Sequence, residues 1–394
     1  MVTFSGRAVH KVIAGGARGV SGPGGDRNRP VRSGGAGAGR RRWVRVARVG
    51  AARRSGGGTR VRTYDVPVSN AESDPAELVC AASSPAAGVE VLDPRDVPLG
   101  GPRAMAVRRT LPQRGRSLIG AWCFVDHYGP DDVSATGGMD VAPHPHTGLQ
   151  TASWLFSGEI EHRDSHGAHA LVRPGELNLM TAGRGICHSE VSTPGTSVLH
   201  GVQLWIALPD AHRDAPRDFE HHVPEPVVVG GAVARVFLGS LGGVTSPVRG
   251  FTPLLGAELV VPAGVVLELA VDPAFEHGVL VDRGEVELAG AVVPRGTVVP
   301  RGSLGCLGAG TAVLRLASTG SEEARVLLLG GEPFGEEIVM WWNFIGRDHD
   351  EVVRFREQWE RGDERFGAVV GYDGDRLPAP SMPKARLRPR GNRR

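Results

Sequence analysis

The segment Pro143-His144-Pro145-His146 and, further along, His188-Ser189-Glu190 constrain this chain more than any other part of it. Side chains at alternate positions of an extended strand point the same way, because side-chain direction there has period 2. His144 and His146 therefore share one face of a strand, and His188 and Glu190 share one face of another. Set opposite each other in a barrel, these faces bring three neutral imidazoles and one carboxylate to a point. Three nitrogens and one oxygen with open positions suit a divalent first-row transition metal, iron above all, with zinc, manganese, nickel or copper as alternatives. Pro145 removes a backbone donor between the histidines, which fits an edge or a barrel rim better than a central strand.

A lone H-x-H arises by chance, and many histidines are structural. Two such pairs at strand spacing within Gly-rich sequence are a stronger signal. Eleven of the fourteen histidines fall between His127 and His222, which concentrates the ligand chemistry in one part of the chain.

A length of 394 residues is enough for two or three domains and a sizeable core. Gly (57) and Pro (29) are abundant and apolar runs are short, which argues for mostly β structure with many turns. Cys80, Cys123, Cys187 and Cys306 show no C-x-x-C spacing, so neither a disulfide framework nor a zinc ribbon is indicated. A reducing cytosol is the simplest compartment, and a cytoplasmic protein is expected. Alternation turns Cys187 away from its neighbour His188, so it is read as packing.

The net charge of +2 hides an asymmetry, because residues 1–63 carry fifteen Lys and Arg against the single Asp26. The remainder is acidic, so a nucleic-acid-binding face is not expected on the folded part. No run approaches the roughly 18–20 apolar residues of a membrane span. No secretory signal with an apolar core of about 7–15 residues is visible.

Residues 1–87 read as a basic, disordered Gly/Ala/Arg-rich extension that cannot bury enough apolar surface to offset chain entropy. A nucleic-acid arm, an organelle transit peptide and sequence without function are the three readings. The last is favoured, since nothing periodic or aromatic-interleaved supports the others. Residues 88–210 are expected to form an N-terminal metal-binding barrel. Its strands start at Val89 and include Ser117–Val125, Leu149–Ser157, Leu177–Met180 and Gly201–Ile206, with a turn at Asp126-His127-Tyr128-Gly129-Pro130. Pro209 to Pro224 reads as a linker.

Residues 211–346 are expected to form a second barrel, with strands from Ala234–Leu238 to Val313–Ala317. Phe156-Ser157-Gly158-Glu159-Ile160-Glu161, with Arg173-Pro174-Gly175, parallels Val281-Asp282-Arg283-Gly284-Glu285-Val286-Glu287, with Pro294-Arg295-Gly296. This weak repeat suggests a duplicated barrel. The second copy offers only His277, which is read as structural. Residues 347–394 are expected to hold a helix and an extended, mobile tail. Asp348 and Glu351 resemble a capping box, and Val352, Phe355 and Trp359 make an apolar stripe flanked by Arg356.

Together these motifs resemble the pirin family of bicupin proteins. Gly138 followed by His144-Pro145-His146 is similar to the first cupin motif, and Gly183-Arg184-Gly185-Ile186-Cys187-His188-Ser189-Glu190 to the family's second metal segment. Trp122-Cys123-Phe124, Asp126-His127-Tyr128-Gly129-Pro130, His162-Arg163-Asp164-Ser165, Gln203-Leu204-Trp205 and Leu328-Leu329-Gly330-Gly331-Glu332-Pro333 add to it. The resemblance covers about residues 88 to 380. It implies an all-β fold of two cupin barrels with a short C-terminal helix, and iron bound by His144, His146, His188 and Glu190. Gln150 stands where cupins commonly carry Glu, a departure that leaves the ligand set whole.

Some pirin-like proteins are quercetin 2,3-dioxygenases, which implies a small aromatic, flavonol-like substrate, O2, and Glu190 as general base. Trp154, Phe156 and Met180 are either pocket walls or core. His162 and Asp164 either orient a ligand or sit in a surface turn. The rival reading is a non-enzymatic, iron-dependent redox sensor that binds a protein partner. Sequence does not separate the two.

Overall fold

The computed structural model describes residues 88–99, 105–290 and 296–391. The expected basic extension and the Pro294-Arg295 part of the repeat lie outside the described residues. In chain order the first strands are β1 (Glu90–Leu92), β2 (Arg95–Leu99), β3 (Met105–Leu111), β4 (Trp122–Asp132), β5 (Asp140–His146) and β6 (Leu149–Ser157). They are followed by β7 (Ile160–Asp164), β8 (His169–Val172), β9 (Leu177–Thr181), β10 (Ile186–Ser192), β11 (Val198–Ala207) and β12 (Asp218–His222). A seven-stranded sheet in the order β12-β9-β6-β11-β4-β3-β2 accompanies a four-stranded sheet, β5-β10-β7-β8. Side chains of both sheets line one cavity.

The same plan is built a second time. A seven-stranded sheet runs β1, Leu304–Leu307, Glu276–Arg283, Ala324–Gly331, Leu254–Val261, Ala232–Leu238, Val227–Val229. Its four-stranded companion runs Val266–Ala270, Val313–Ser318, Val286–Gly290, Thr297–Val299. In Val266–Ala270 the side chains of Leu267 and Leu269 are buried while Val266, Glu268 and Ala270 are exposed, the period of a half-buried strand. The fold is all-β in two cupin barrels, with α1 (His349–Glu360) as its one α-helix among the described residues.

The G-E repeat is a topological equivalence. In each barrel it carries the chain from the large sheet to the small one, from β6 to β7 and from Glu276–Arg283 to Val286–Gly290. Gly158 (φ +88) and Gly284 (φ +77) occupy left-handed backbone at the crossing, where a Cβ would meet the first residue of the neighbouring strand, at Val198 O and Ala324 Cα.

The barrels share a core. Trp122 and Trp154 are buried between them, and their indole N–H groups donate to Gly330 O (3.1 Å) and Glu258 Oε2 (2.7 Å) of the second barrel. Gly120 and Gly331 touch backbone to backbone, since a Cβ on Gly120 would stand 2.6 Å from the Gly331 Cα. Deeper in the same junction, His127 Nε2 and His200 Nε2 lie 2.8 and 2.5 Å from Asp282 Oδ1, and Arg325 Nε donates to Oδ2 at 2.6 Å.

Burial alone would raise the Asp282 carboxyl, but His127, His200 and Arg325 outweigh it and hold it well below the usual carboxylate range. Burial also keeps His127 low, and therefore neutral. Both shifts favour proton uptake by the unfolded chain. Stability is therefore full above the unfolded histidine value of about 6.5, falls as pH drops through it, and falls again below the unfolded carboxyl value of about 3.9. Asp282→Asn should lose about 3–5 kcal/mol at pH 7 and flatten the acid limb, as read by urea unfolding across pH.

Several expectations need correction. β4 does not turn at Asp126 but continues to Asp132, because Asp126 is paired inside the barrel, and Gly129 with its cis Pro130 only bulges the strand. The supposed linker contains β12, which pairs with β9 at the edge of the first barrel's sheet. β1 forms where a strand was expected but joins the second barrel's sheet through Cys306, Gly305 and Leu304. The tail is extended and it is also anchored. Ala379, Leu377, Met382 and Leu387 pack on the cluster around α1, and Leu377 N donates to Pro143 O.

The helix matches its signals. Asp348 Oδ1 accepts from Glu351 N at 2.8 Å, and Val352, Phe355 and Trp359 are buried against Trp341, Phe344 and Cys187. The second half of the capping box differs, since Glu351 Oε2 accepts from Arg347 N, one residue before the cap.

Candidate metal centre

β5 is the edge of the four-stranded sheet, where the missing donor of Pro145 is tolerated. Its neighbour β10 runs antiparallel with His188 opposite His144 and Ile186 opposite His146. Beyond that pair the register shifts, so three residues of β5 oppose two of β10 and Glu190 faces Val141. On its other side β10 pairs with β7, placing Asp164 opposite His188 and His162 opposite Glu190. Period-2 alternation thus turns His144, His146, His188 and Glu190 into one cavity.

The imidazole nitrogens converge. His146 Nε2 and His188 Nε2 are 3.0 Å apart, and donor atoms of His144, His146 and His188 all lie within 4.8 Å of one another. Glu190 groups within the same span with His188 and His162 rather than with all three histidines. Burial lowers the pKa of His144 to about 4 and pushes His146 and His188 well below the ordinary histidine value. All three imidazoles are therefore neutral.

The tautomers of His144 and His188 are set by the groups behind them. His144 Nδ1 donates to Ala142 O at 2.9 Å, leaving the Nε2 lone pair for the cavity. His188 Nδ1 faces His162 Nδ1 at 3.4 Å, and His162 Nε2 donates to Asp164 Oδ2 at 3.1 Å. Asp164 is itself fixed by Oδ1 accepting from the backbone N–H groups of His166, Gly167 and Ala168. This chain puts a proton on His188 Nδ1 and frees its Nε2. His144 and His188 thus turn bare Nε2 atoms into the cavity beside His146 and Glu190, and this donor set fits a transition metal.

The junction triad of His127, His200 and Asp282 is equally tight. It does not fit a cation. Arg325 occupies one Asp282 oxygen, Arg301 Nε donates to the Asp282 carbonyl, and an Arg108 nitrogen lies 3.4 Å from His127 Nδ1. A divalent ion there would face three guanidinium groups. His277 is buried with neither ring nitrogen hydrogen-bonded, and it joins no such group among the described residues.

Two family models match the chain, Pirin over residues 104–206 and Pirin C-terminal cupin domain over residues 256–367. The chain belongs to the pirin family. The protein named "Putative quercetin 2,3-dioxygenase PA1205" of Pseudomonas aeruginosa is 44% identical over 290 residues, covering 73% of this chain and 89% of that protein. A "Pirin-like protein" of Caulobacter vibrioides is 33% identical over 69% of this chain and 93% of its own length. Among solved structures, a quercetin 2,3-dioxygenase from Acinetobacter baumannii superposes with TM-score 0.71 at 38% identity, over 77% of this chain and 98% of that one.

Sequence leaves Trp154, Phe156 and Met180 as either pocket wall or core, and none of the three lines the cavity. Trp154 and Met180 belong to the core, and Phe156 packs beside His127 and His200 at the junction. Instead Phe124 and Trp205 stack at 4.0 Å and 9°, with Trp205 edge-on to His146 at 5.1 Å. Val107, Tyr128, Met139, Val141, Asp126 and Gln203 complete the lining. Gln150 is absent from it and donates to Thr181 Oγ1. His162 and Asp164 are buried and lie in a strand, not in a surface turn. Asp164→Asn keeps the size but presents an N–H to His162 and reverses the tautomer chain. Metal affinity should fall about 10–100-fold in a chelator competition, with the folded state retained.

Proposed function

We propose that this protein is a metal-dependent dioxygenase that opens the ring of a flavonol-like substrate, with His144, His146, His188 and Glu190 holding the metal. The observation that carries the reading is the convergence of three neutral imidazoles and a carboxylate in a cavity walled by stacked aromatic rings. When bound, iron, or zinc, manganese, nickel or copper in its place, supplies Lewis acidity next to the reacting oxygen. Phe124 and Trp205, stacked on each other, supply a rigid apolar wall against which a planar ring packs. Glu190 is the proton acceptor for the substrate hydroxyl. Burial raises its carboxyl above the usual range. Ser153 has one proton to give and lies closer to Gln203 Oε1 (2.9 Å) than to Glu190 Oε1 (3.4 Å).

The enclosed space is about 30 Å³, room for one or two waters. A three-ring flavonol therefore enters only as wall side chains move, and the unbranched Met139 is the most adaptable of them. This tightness favours the second reading, a metal-dependent regulator that binds a protein partner and turns over nothing. Quercetin added anaerobically to metal-loaded protein, followed by oxygen, decides between them. Oxygen uptake with loss of the flavonol absorbance supports the dioxygenase. No uptake with any of several flavonols and metals overturns it.

A further inference from the structure

One polar group of the cavity has no task in the fold. Tyr128 lies on β4 on the same face as Asp126 and Phe124, lines the cavity, and is 1% exposed. Its phenol oxygen is buried without a hydrogen-bond partner. A buried hydroxyl with no partner in the protein is an arrangement that folds rarely keep without a use. A Cβ on Gly201 would stand 2.6 Å from Leu155 Cδ2, 2.8 Å from Trp154 O and 3.0 Å from the phenol oxygen, so the strand closes tightly on that side of the phenol and brings it no polar partner.

The other polar groups of the lining are differently placed. Both Asp126 oxygens accept from Arg109, at 2.6 and 2.7 Å, and Gln203 Oε1 takes the Ser153 proton. What remains is a phenol with a free donor, the amide nitrogen of Gln203, and Glu190 with only a long contact to Ser153. Burial, then the charges of Glu190 and Asp126, push the phenol pKa up, so it stays protonated and a donor. The phenol's one proton suits a carbonyl oxygen as acceptor, while Glu190 suits an adjacent hydroxyl.

We propose that Tyr128 is a substrate-binding residue whose phenol donates a hydrogen bond to the carbonyl oxygen of a cyclic α-hydroxy-ketone held in this cavity. The inference rests on the dioxygenase reading for the flavonol but needs only the hydroxy-ketone edge, for which the wall side chains have less far to move. Tyr128→Phe removes the one oxygen and keeps the ring.

The test compares wild type and Y128F, metal-loaded and anaerobic, with two probes: quercetin and the single-ring 3-hydroxy-4-pyranone. The expected result is a Kd about tenfold weaker in Y128F for each probe that wild type binds, the loss of one hydrogen bond. Metal content should be unchanged, and the melting temperature of the metal-free variant should be equal to or above that of wild type. Equal affinities for wild type and Y128F overturn the proposal, as does a lowered melting temperature, which would mean that the hydroxyl serves the fold. Wild type that binds the pyranone but not quercetin sinks the flavonol reading while the Tyr128 comparison is made with the pyranone. Wild type that binds neither overturns both.

Discussion

Asp126→Ala is expected to remove about 3–5 kcal/mol of stability, a large part of the roughly 5–15 kcal/mol that holds a typical folded protein together. Arg109 and Asp126 are both buried at 2% exposure and bonded through Nε–Oδ1 and Nη2–Oδ2, a two-point pairing. Taking away the carboxylate leaves a guanidinium in the barrel wall with its main counter-charge gone. The consequence reaches the site. Arg109 sits 4.2 Å over the Phe124 ring, Phe124 stacks on Trp205, and Trp205 abuts His146. Urea unfolding of the metal-free protein measures the loss, and a change below about 1 kcal/mol, as for an exposed pair, would contradict the buried pairing. Replacing both partners by apolar residues should recover much of it, because the penalty lies in the unpaired charge.

The second large effect is chemical. Glu190→Gln keeps the size and one oxygen but cannot take a proton, so kcat for flavonol cleavage should fall about 10²–10⁴-fold. The three histidines should still retain the metal in this variant. Measuring both on the same preparation separates the roles, since metal lost along with activity would make Glu190 chiefly a ligand. Turnover at the wild-type rate would remove it from the reaction. Ser153→Ala is the control. Ser153 spends its proton on Gln203, so its loss should alter activity far less than the loss of Glu190.

How much of this was legible follows from the period of a strand. Two residues apart means the same face wherever the strand lies, so H-x-H and H-x-E were readable as converging pairs without a structure. Cys187 was readable on the same ground as turned away from the ligands and packed, and it is buried against the helix cluster. The aromatic walls were not. β6 is buried on both faces over Leu149–Leu155, so alternation had no solvent side to orient it, and Trp154 went to the junction while Ser153 took the cavity side. Asp126-His127-Tyr128 was misread because polar residues before Gly-Pro usually signal a turn. Here each has a buried partner or purpose, with Asp126 on Arg109, His127 on Asp282 across the barrels, and Tyr128 at the cavity.

β12 and the tail were missed for a different reason. Their short or proline-broken patterns become structure only against distant partners, β9 in one case and α1 with Pro143 O in the other. The signal that could have found the tail was the recurrence of Leu377, Ala379, Met382 and Leu387 among the prolines.

The central claim is that one transition metal sits among His144, His146, His188 and Glu190. Elemental analysis of wild type beside the variant with all four replaced by alanine, purified identically without added metal, tests it most directly. The account predicts close to one metal per chain in the wild type and almost none in the variant. Equal metal in the two proteins, or none in either even after anaerobic iron loading, would contradict it.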